Sequence, residues 1–140
     1  MNTKTITAIQ VLIVTLGLTY AMYKFLPTTL TSLNIAGLIL FIASLILWLT
    51  ARLQLGNSFS VTPQARALVT HGLYSKIRNP IYVFGALTIT GFVLAIGRPI
   101  YLLALLIIVP LQIRRIRAES KVLEEKFGDA YRAYRRQTWF

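Results

Sequence analysis

Long apolar runs interrupted by single basic residues are the main feature of the sequence. Residues 6–26 carry one charge, at Lys24, and residues 33–53 carry one, at Arg52. An α-helix rises 1.5 Å per residue, so each run can cross a hydrocarbon core of about 30 Å. We therefore predict two membrane-spanning helices here, with the long side chain of Arg52 reaching toward the membrane surface.

Two shorter apolar runs follow, and a tight connection separates them. They cover residues 81–96 and 99–113. Pro99 suits the first turn of a helix, which favours a helical hairpin. The apolar spacing of the second run continues at helical period to Phe127, and Gly128 is a natural helix stop. The second helix of the hairpin is therefore expected to extend beyond the membrane as an amphipathic helix.

Together these patterns predict an all-α integral membrane protein with about four transmembrane helices and a single domain over residues 1–140. The C-terminal amphipathic helix and one polar loop are expected on the cytoplasmic side. The helices are expected at about residues 6–26, 33–53, 81–96 and 99–127, and the loop at residues 54–80.

The charge distribution indicates how the helices are oriented. If both termini and the 54–80 loop share one side, that side holds thirteen of the fifteen Lys and Arg residues, leaving Lys24 and Arg98 opposite. Basic residues concentrate on the cytoplasmic side of membrane proteins, so both termini are expected to be cytoplasmic. Only 14% of the residues are charged, against 56% hydrophobic, which argues against a soluble nucleic-acid-binding protein despite the net charge of +11.

Several kinds of chemistry are disfavoured by what the sequence lacks. It contains no cysteine and one histidine, His71, so we expect neither a disulfide nor a metal site. It contains no nucleophile-elbow motif and no glycine-rich phosphate loop. Tyr131 and Tyr134 alternate with arginines and are expected to lie at the membrane interface.

Arg115 and Glu119 are the most informative charged residues. Glu119 is the first acid in the chain. The two residues are four apart on a predicted helix, so they can pair with each other or face a ligand together. Arg114, Arg115 and Arg117 can alternatively bind anionic lipid headgroups, at about 1 kcal/mol each near the surface.

Two motifs resemble those of a known enzyme family. The first combines Leu68-Val69-Thr70-His71-Gly72-Leu73-Tyr74 with Arg78-Asn79-Pro80-Ile81-Tyr82, and the second combines Arg115-Ile116-Arg117-Ala118-Glu119 with Phe127-Gly128 and Tyr131. In this order, over about residues 53–137, they resemble the isoprenylcysteine carboxyl methyltransferases, a family of integral membrane enzymes. This chain is similar to a short prokaryotic-type member, which implies a prokaryotic inner or plasma membrane.

The resemblance implies S-adenosylmethionine as the methyl donor, bound in a pocket that the cytoplasmic loop closes. It implies a lipophilic, isoprenylcysteine-like substrate drawn from among the membrane lipids. Arg115 corresponds to a residue that binds the substrate, and Arg115 and Asn79 are the implied catalytic residues. The implied cofactor-binding residues are Arg66, Leu68, Val69, Tyr74, Arg78, Asn79, Tyr82 and Glu119.

The sequence departs from the family pattern at three positions. Arg66 and Asn79 stand where the eukaryotic members have histidines, and Ser120 replaces the second acid of a Glu-Glu pair. Asn79 can donate and accept hydrogen bonds but cannot take up a proton near neutral pH.

Two other functions remain open at this point. One is N-methylation of a phospholipid headgroup, and the other is a non-enzymatic membrane protein that binds anionic lipid or a partner. The methyl acceptor, the choice between O- and N-methylation and the oligomeric state do not follow from the sequence.

Overall fold

The computed structural model describes residues 3–56 and 68–139, and it is helical almost throughout that part of the chain. The predicted all-α architecture is confirmed for these residues, whose only β-type pairing is one isolated bridge between Ile77 and Trp139. The helices are α1 (Thr3–Phe25), α2 (Ser32–Leu55), α3 (Pro80–Ala95), α4 (Leu105–Phe127) and α5 (Asp129–Gln137), with short 3₁₀ helices at Gly72–Ser75 and Pro99–Ala104.

Three helical stretches in the described part are long and apolar enough to cross a membrane: Ala8–Phe25, Ser32–Leu55 and Pro99–Phe127. The last includes the 3₁₀ helix Pro99–Ala104, where the sequence predicted regular α-helix. A 3₁₀ turn is common at a helix N-terminus, particularly where proline cannot donate a backbone hydrogen bond. Helix α3 is apolar but has 16 residues, which is short for an upright span.

Helices α2 and α3 pack against each other with their backbones in close contact. A Cβ atom added to Gly37 would collide with the backbone nitrogen of Ala95. One added to Gly91 would collide with the backbone nitrogen of Phe41. Small residues permit this approach between helices, so the two glycines set the distance between α2 and α3.

Asn34 ties the start of α2 to the end of α3. Its side chain and that of Thr31 form a capping box at the N-terminus of α2. The buried Asn34 amide Nδ2 also donates to the carbonyls of Leu94, at 3.2 Å, and Ala95, at 3.0 Å. These bonds satisfy carbonyls at a helix end that lack an intrahelical partner.

Helix α1 covers the core formed by α2 and α3. Met22 is buried there against Phe41 and Leu45. Other apolar side chains of α1 point away from the protein, with Leu12 and Ile13 more than half exposed. Such an arrangement suits a helix with one face on protein and the other on lipid.

The chain reverses after α4 and brings α5 back onto the protein. Gly128 ends α4 with a φ of 49°, a left-handed value that favours glycine. Tyr131 and Tyr134 are then buried, at 1% and 7% exposure. These tyrosines therefore pack inside the protein, because α5 turns its aromatic face inward and its arginines outward, and their position relative to a membrane interface stays a prediction.

Candidate active site

Tyr82, Arg115 and Glu119 form a hydrogen-bonded cluster that joins α3 to α4. The Tyr82 hydroxyl donates to Glu119 Oε1 at 2.6 Å, and Arg115 Nε donates to the same oxygen at 2.9 Å. The Arg115 guanidinium also lies 5.9 Å from the centre of the Tyr82 ring, within the range of a cation–π contact. Three residues from the two separate sequence motifs therefore meet at one carboxylate.

The cluster is partly shielded from water. The side chains of Arg115 and Glu119 are 33% and 27% exposed. Charge-assisted hydrogen bonds in such surroundings are stronger than those between fully exposed ions. The Glu119 carboxylate is therefore held in a defined position.

Asn79 and Arg78 carry two buried donors immediately before α3, the helix that carries Tyr82. Asn79 Nδ2 and Arg78 Nε are buried and have no hydrogen-bond partner among the residues that the structure describes. Asn79 precedes α3, and its backbone carbonyl accepts hydrogen bonds from Tyr82 and Val83, but its side chain does not cap the helix. Buried donors are rarely left unpaired in proteins, so these two atoms are suited to bind a ligand.

Tyr74 lies in the loop beside the same cluster and is 6% exposed. Burial is the main reason that its pKa is raised, and the nearby Tyr134 and Glu119 raise it further, while Arg52 partly opposes them. The Tyr74 phenol therefore stays neutral at physiological pH.

Two contacts hold this loop in place. The backbone N–H of Leu73 donates to Gln54 Oε1 at 2.8 Å, next to Gly72, whose φ is +60°. The Tyr134 hydroxyl donates to the backbone carbonyl of Tyr74 at 2.8 Å. Helices α2 and α5 thereby position the loop from opposite ends of the chain.

The C-terminal residues pair with the segment that carries Arg78. The Trp139 backbone N–H donates to the Lys76 carbonyl at 3.1 Å, and the Arg78 N–H donates to the Trp139 carbonyl at 3.3 Å. The Trp139 side chain itself is 63% exposed. The backbone of the C-terminal segment, rather than its indole, therefore fixes the approach to α3.

The remaining predicted cofactor residues are less defined. Leu68 and Val69 are half-buried at the start of the described loop. Arg66 lies outside the described residues. Among the described residues, the structure brings Tyr82, Arg115 and Glu119 into direct contact and places Tyr74 near enough to interact electrostatically with Tyr82 and Glu119. Arg78 and Asn79 lie immediately before the helix that carries Tyr82.

A protein-family model matches most of the segment that carries these residues. The matching family is the phospholipid methyltransferase family, and the match covers residues 32–130. The chain belongs to this family. The match covers α2, α3 and α4, which carry most of the site. No curated protein sequence matches the chain significantly.

Membership of the phospholipid methyltransferase family implies a membrane methyltransferase acting on a lipophilic substrate, and a methyl donor that is generally S-adenosylmethionine. This favours the enzymatic interpretations over a non-enzymatic membrane protein. The family resemblance made from the motifs is thereby confirmed at the level of membrane methyltransferases, while the isoprenylcysteine assignment stays a prediction.

The sequence did not indicate that two further residues, Gln54 and Arg52, belong to the site. Gln54, which holds the loop through Leu73, is an ordinary polar residue at a helix end and carries no sequence signal. Arg52 is 4% exposed, so its side chain packs inside the protein beside the loop residue Tyr74 instead of ending in solvent. The only available signal was a lone cation within an apolar run, which has the same appearance in either role.

Proposed function

We propose that the protein transfers the methyl group of S-adenosylmethionine to the carboxylate of an isoprenylcysteine-like amphiphile at the cytoplasmic face of a membrane. The observation that carries this proposal is the cluster at Glu119, where one carboxylate oxygen accepts from both Tyr82 and Arg115. It joins the two motifs whose resemblance suggested the activity. The concentration of basic residues near the site supports its cytoplasmic placement.

The residues around the cluster fit S-adenosylmethionine. The cofactor combines an amino-acid group, an adenosine and a positively charged sulfonium. The buried donors Asn79 Nδ2 and Arg78 Nε match its carboxylate and adenosine acceptors. The Glu119 carboxylate matches its positive charge, and Tyr74 offers an aromatic surface. When bound, the cofactor would supply a methyl group to an oxygen nucleophile, with its sulfur leaving as the neutral thioether.

In this proposal Arg115 orients the methyl acceptor. A guanidinium carries five N–H donors, so Arg115 can bind a substrate carboxylate while its Nε holds Glu119. Glu119 in turn restricts the rotamers of Arg115. Holding the methyl donor and the methyl acceptor close together and aligned accounts for much of the rate enhancement of a methyl transfer.

The protonation requirements favour a carboxylate over an amine. An α-carboxylate has a pKa of about 3.3–3.7 and is ionised at neutral pH, so no base is needed. An ammonium must first lose a proton. Among the described residues, Glu119 is the carboxylate of the proposed site, and its Oε1 already accepts hydrogen bonds from Tyr82 and Arg115, so this oxygen is engaged and poorly placed to take up that proton.

The test is methyl transfer from isotopically labelled S-adenosylmethionine to N-acetyl-S-farnesylcysteine in lipid nanodiscs. We expect a labelled ester that releases methanol in base. A base-stable label on phosphatidylethanolamine, with none on the cysteine compound, would instead establish N-methylation of a phospholipid headgroup. Protein heated to unfold it serves as the control for non-enzymatic methylation.

Cofactor binding is tested separately by calorimetry of the folded protein in detergent. We expect a micromolar Kd for S-adenosylmethionine. Absence of binding by protein whose helix content is intact would overturn the proposed cofactor.

A further inference from the structure

The three arginines near the middle of α4 divide between two sides of the helix. Arg115 faces α3, where its Nε donates to Glu119 Oε1 at 2.9 Å and its guanidinium lies 5.9 Å from the centre of the Tyr82 ring. Arg114 and Arg117 are exposed. At 3.6 residues per turn they lie about 100° and 160° around the helix from Arg115. The candidate active site therefore contains one of the three arginines, and the outer surface of α4 carries the other two.

Among the residues that the structure describes, neither Arg114 nor Arg117 forms an ion pair with an acid. The chain has four acids, and each of them pairs with a cation elsewhere on α4 or α5. These pairs are Arg115–Glu119, Lys121–Glu125, Arg132–Glu124 and Arg132–Asp129. A guanidinium is charged at every physiological pH, so the outer face of α4 presents two positive charges that these acids do not neutralise.

The same outer face is apolar where α4 crosses the membrane. Ile107 and Leu111 are 68% and 57% exposed. Both belong to Pro99–Phe127, a stretch apolar enough to cross a membrane. They precede Arg114 by seven and three residues, which places all three side chains on one face of the helix. This face therefore changes along α4 from exposed hydrocarbon to exposed cations.

The spacing of the cations along α4 matches the thickness of a lipid headgroup layer. Arg117 lies about 4.5 Å beyond Arg114 along the helix axis. The headgroups add about 5–7 Å to each side of the hydrocarbon core, so a layer that begins at Arg114 also contains Arg117. Lys121 lies one turn further out and is 80% exposed. Its stem leans back toward the apolar half of the helix, because helix side chains tilt toward the N-terminus.

We propose that this outer face of α4 binds an anionic phospholipid, with its phosphate between Arg114 and Arg117. The acyl chains of that lipid lie along Ile107 and Leu111. A guanidinium matches the geometry of a phosphate, and the neighbouring hydrocarbon matches a ligand that carries both an anion and acyl chains. A zwitterionic lipid would bring a cation of its own to the two arginines. The site lies around the helix from Arg115 and does not depend on the proposed methyl transfer.

The test measures the binding of single lipids to the folded full chain in detergent by native mass spectrometry. The probes are phosphatidylglycerol, which is anionic, and phosphatidylcholine, which is zwitterionic, with the same acyl chains. Each cation near a membrane surface contributes about fivefold to the affinity for anionic lipid. We therefore expect phosphatidylglycerol to bind at least tenfold more tightly than phosphatidylcholine. Equal affinities would overturn the proposal, whatever the behaviour of any variant.

The double variant Arg114→Gln, Arg117→Gln locates the bound lipid. Glutamine is a good helix former and both positions are exposed, so the helix content should be unchanged. We expect this variant to bind phosphatidylglycerol at least tenfold more weakly than the wild type and phosphatidylcholine within twofold of it. Unchanged affinity for phosphatidylglycerol would place the lipid elsewhere and reject the outer face of α4.

Two control variants remove positive charge from other positions. Arg132→Gln with Arg135→Gln removes the same charge from exposed cations that already lie at Glu124. It should change the affinity for phosphatidylglycerol less than threefold, and a loss equal to that of the α4 variant would show a response to net charge alone and overturn the site. Arg115→Gln should also change this affinity less than threefold. A tenfold loss there would place the lipid in the candidate active site and overturn the proposal.

Glycerol 1-phosphate distinguishes a lipid from a free anion. At millimolar concentration it should not displace phosphatidylglycerol, because it has no acyl chains to lie along Ile107 and Leu111. Displacement would show that the face binds phosphate alone and would overturn the assignment to a lipid. These measurements need neither the cofactor nor a methyl acceptor. Absence of cofactor binding would therefore reject the proposed function and leave this inference standing.

Discussion

The most informative perturbation removes the carboxylate of Glu119 and compares the result with removal of Arg115. Glu119 Oε1 accepts hydrogen bonds from Tyr82 at 2.6 Å and from Arg115 at 2.9 Å. In the proposed function Glu119 holds the cofactor, whereas Arg115 holds the substrate carboxylate. Glu119→Ala should therefore weaken cofactor binding, and Arg115→Ala should mainly impair use of the methyl acceptor.

The expected size of the effect follows from the geometry of the cluster. A hydrogen bond to a charged group contributes about 1.5–3 kcal/mol. The lower part of that range applies here because the side chains of Arg115 and Glu119 are 33% and 27% exposed, so solvent partly screens their charges. We expect a loss of about 2 kcal/mol in cofactor binding for Glu119→Ala, or roughly thirtyfold in Kd. Arg115→Ala should change this Kd less than threefold but lower kcat/KM for the acceptor at least thirtyfold.

The measurements are calorimetric titration with S-adenosylmethionine in detergent and initial rates with N-acetyl-S-farnesylcysteine in nanodiscs. Glu125→Gln is the matched control, since Glu125 is also four residues from a cation, Lys121, but at 4.0 Å and 65% exposed. That variant should bind the cofactor within twofold of the wild type. An equal loss of cofactor affinity in Glu119→Ala and Arg115→Ala would refute the division of roles.

Three further predictions concern the fold and its pH dependence. Gly91→Ala should lower the free energy of unfolding in detergent by about 3 kcal/mol, because the added Cβ meets the Phe41 backbone. Gly17→Ala should leave the free energy of unfolding unchanged, because a Cβ there meets no atom within 4 Å, and equal losses in the two variants would contradict the close packing of α2 and α3. Asn79→Ala removes a buried donor that has no partner among the described residues, so cofactor affinity should fall at least tenfold while thermal stability is unchanged or rises. Unchanged cofactor affinity together with lower thermal stability would instead show that Asn79 has a structural role. Burial raises the pKa of Tyr134 to about 12, whereas an unfolded tyrosine has a pKa of about 10. The stability that the neutral Tyr134 phenol contributes is therefore complete below about pH 10 and is lost as the pH rises from about 10 through 12. Denaturant unfolding between about pH 9 and 12 should show a shallower decline for Tyr134→Phe, and an identical decline would refute this.

The sequence alone determined the features that depend on local pattern. Apolar run length implies helices that cross a membrane, because a bilayer core imposes a minimum number of apolar residues. The Arg115–Glu119 pair follows from spacing, since residues four apart lie on one helix face. Gly128 ends α4 as predicted, because few other residues adopt its left-handed conformation. The two motifs also indicated the membrane methyltransferase class.

Only the tertiary structure decided which distant groups meet. Tyr82 bonds to Glu119 across 37 residues, and Tyr134 bonds to the Tyr74 carbonyl across 60. Neither contact has a periodicity that sequence reasoning can detect. Arginine and tyrosine side chains are amphipathic and satisfy either a membrane interface or a polar protein interior. Whether Arg52 and Tyr134 would be surface or buried groups therefore depended on how the loop and α5 pack, which no single segment specifies.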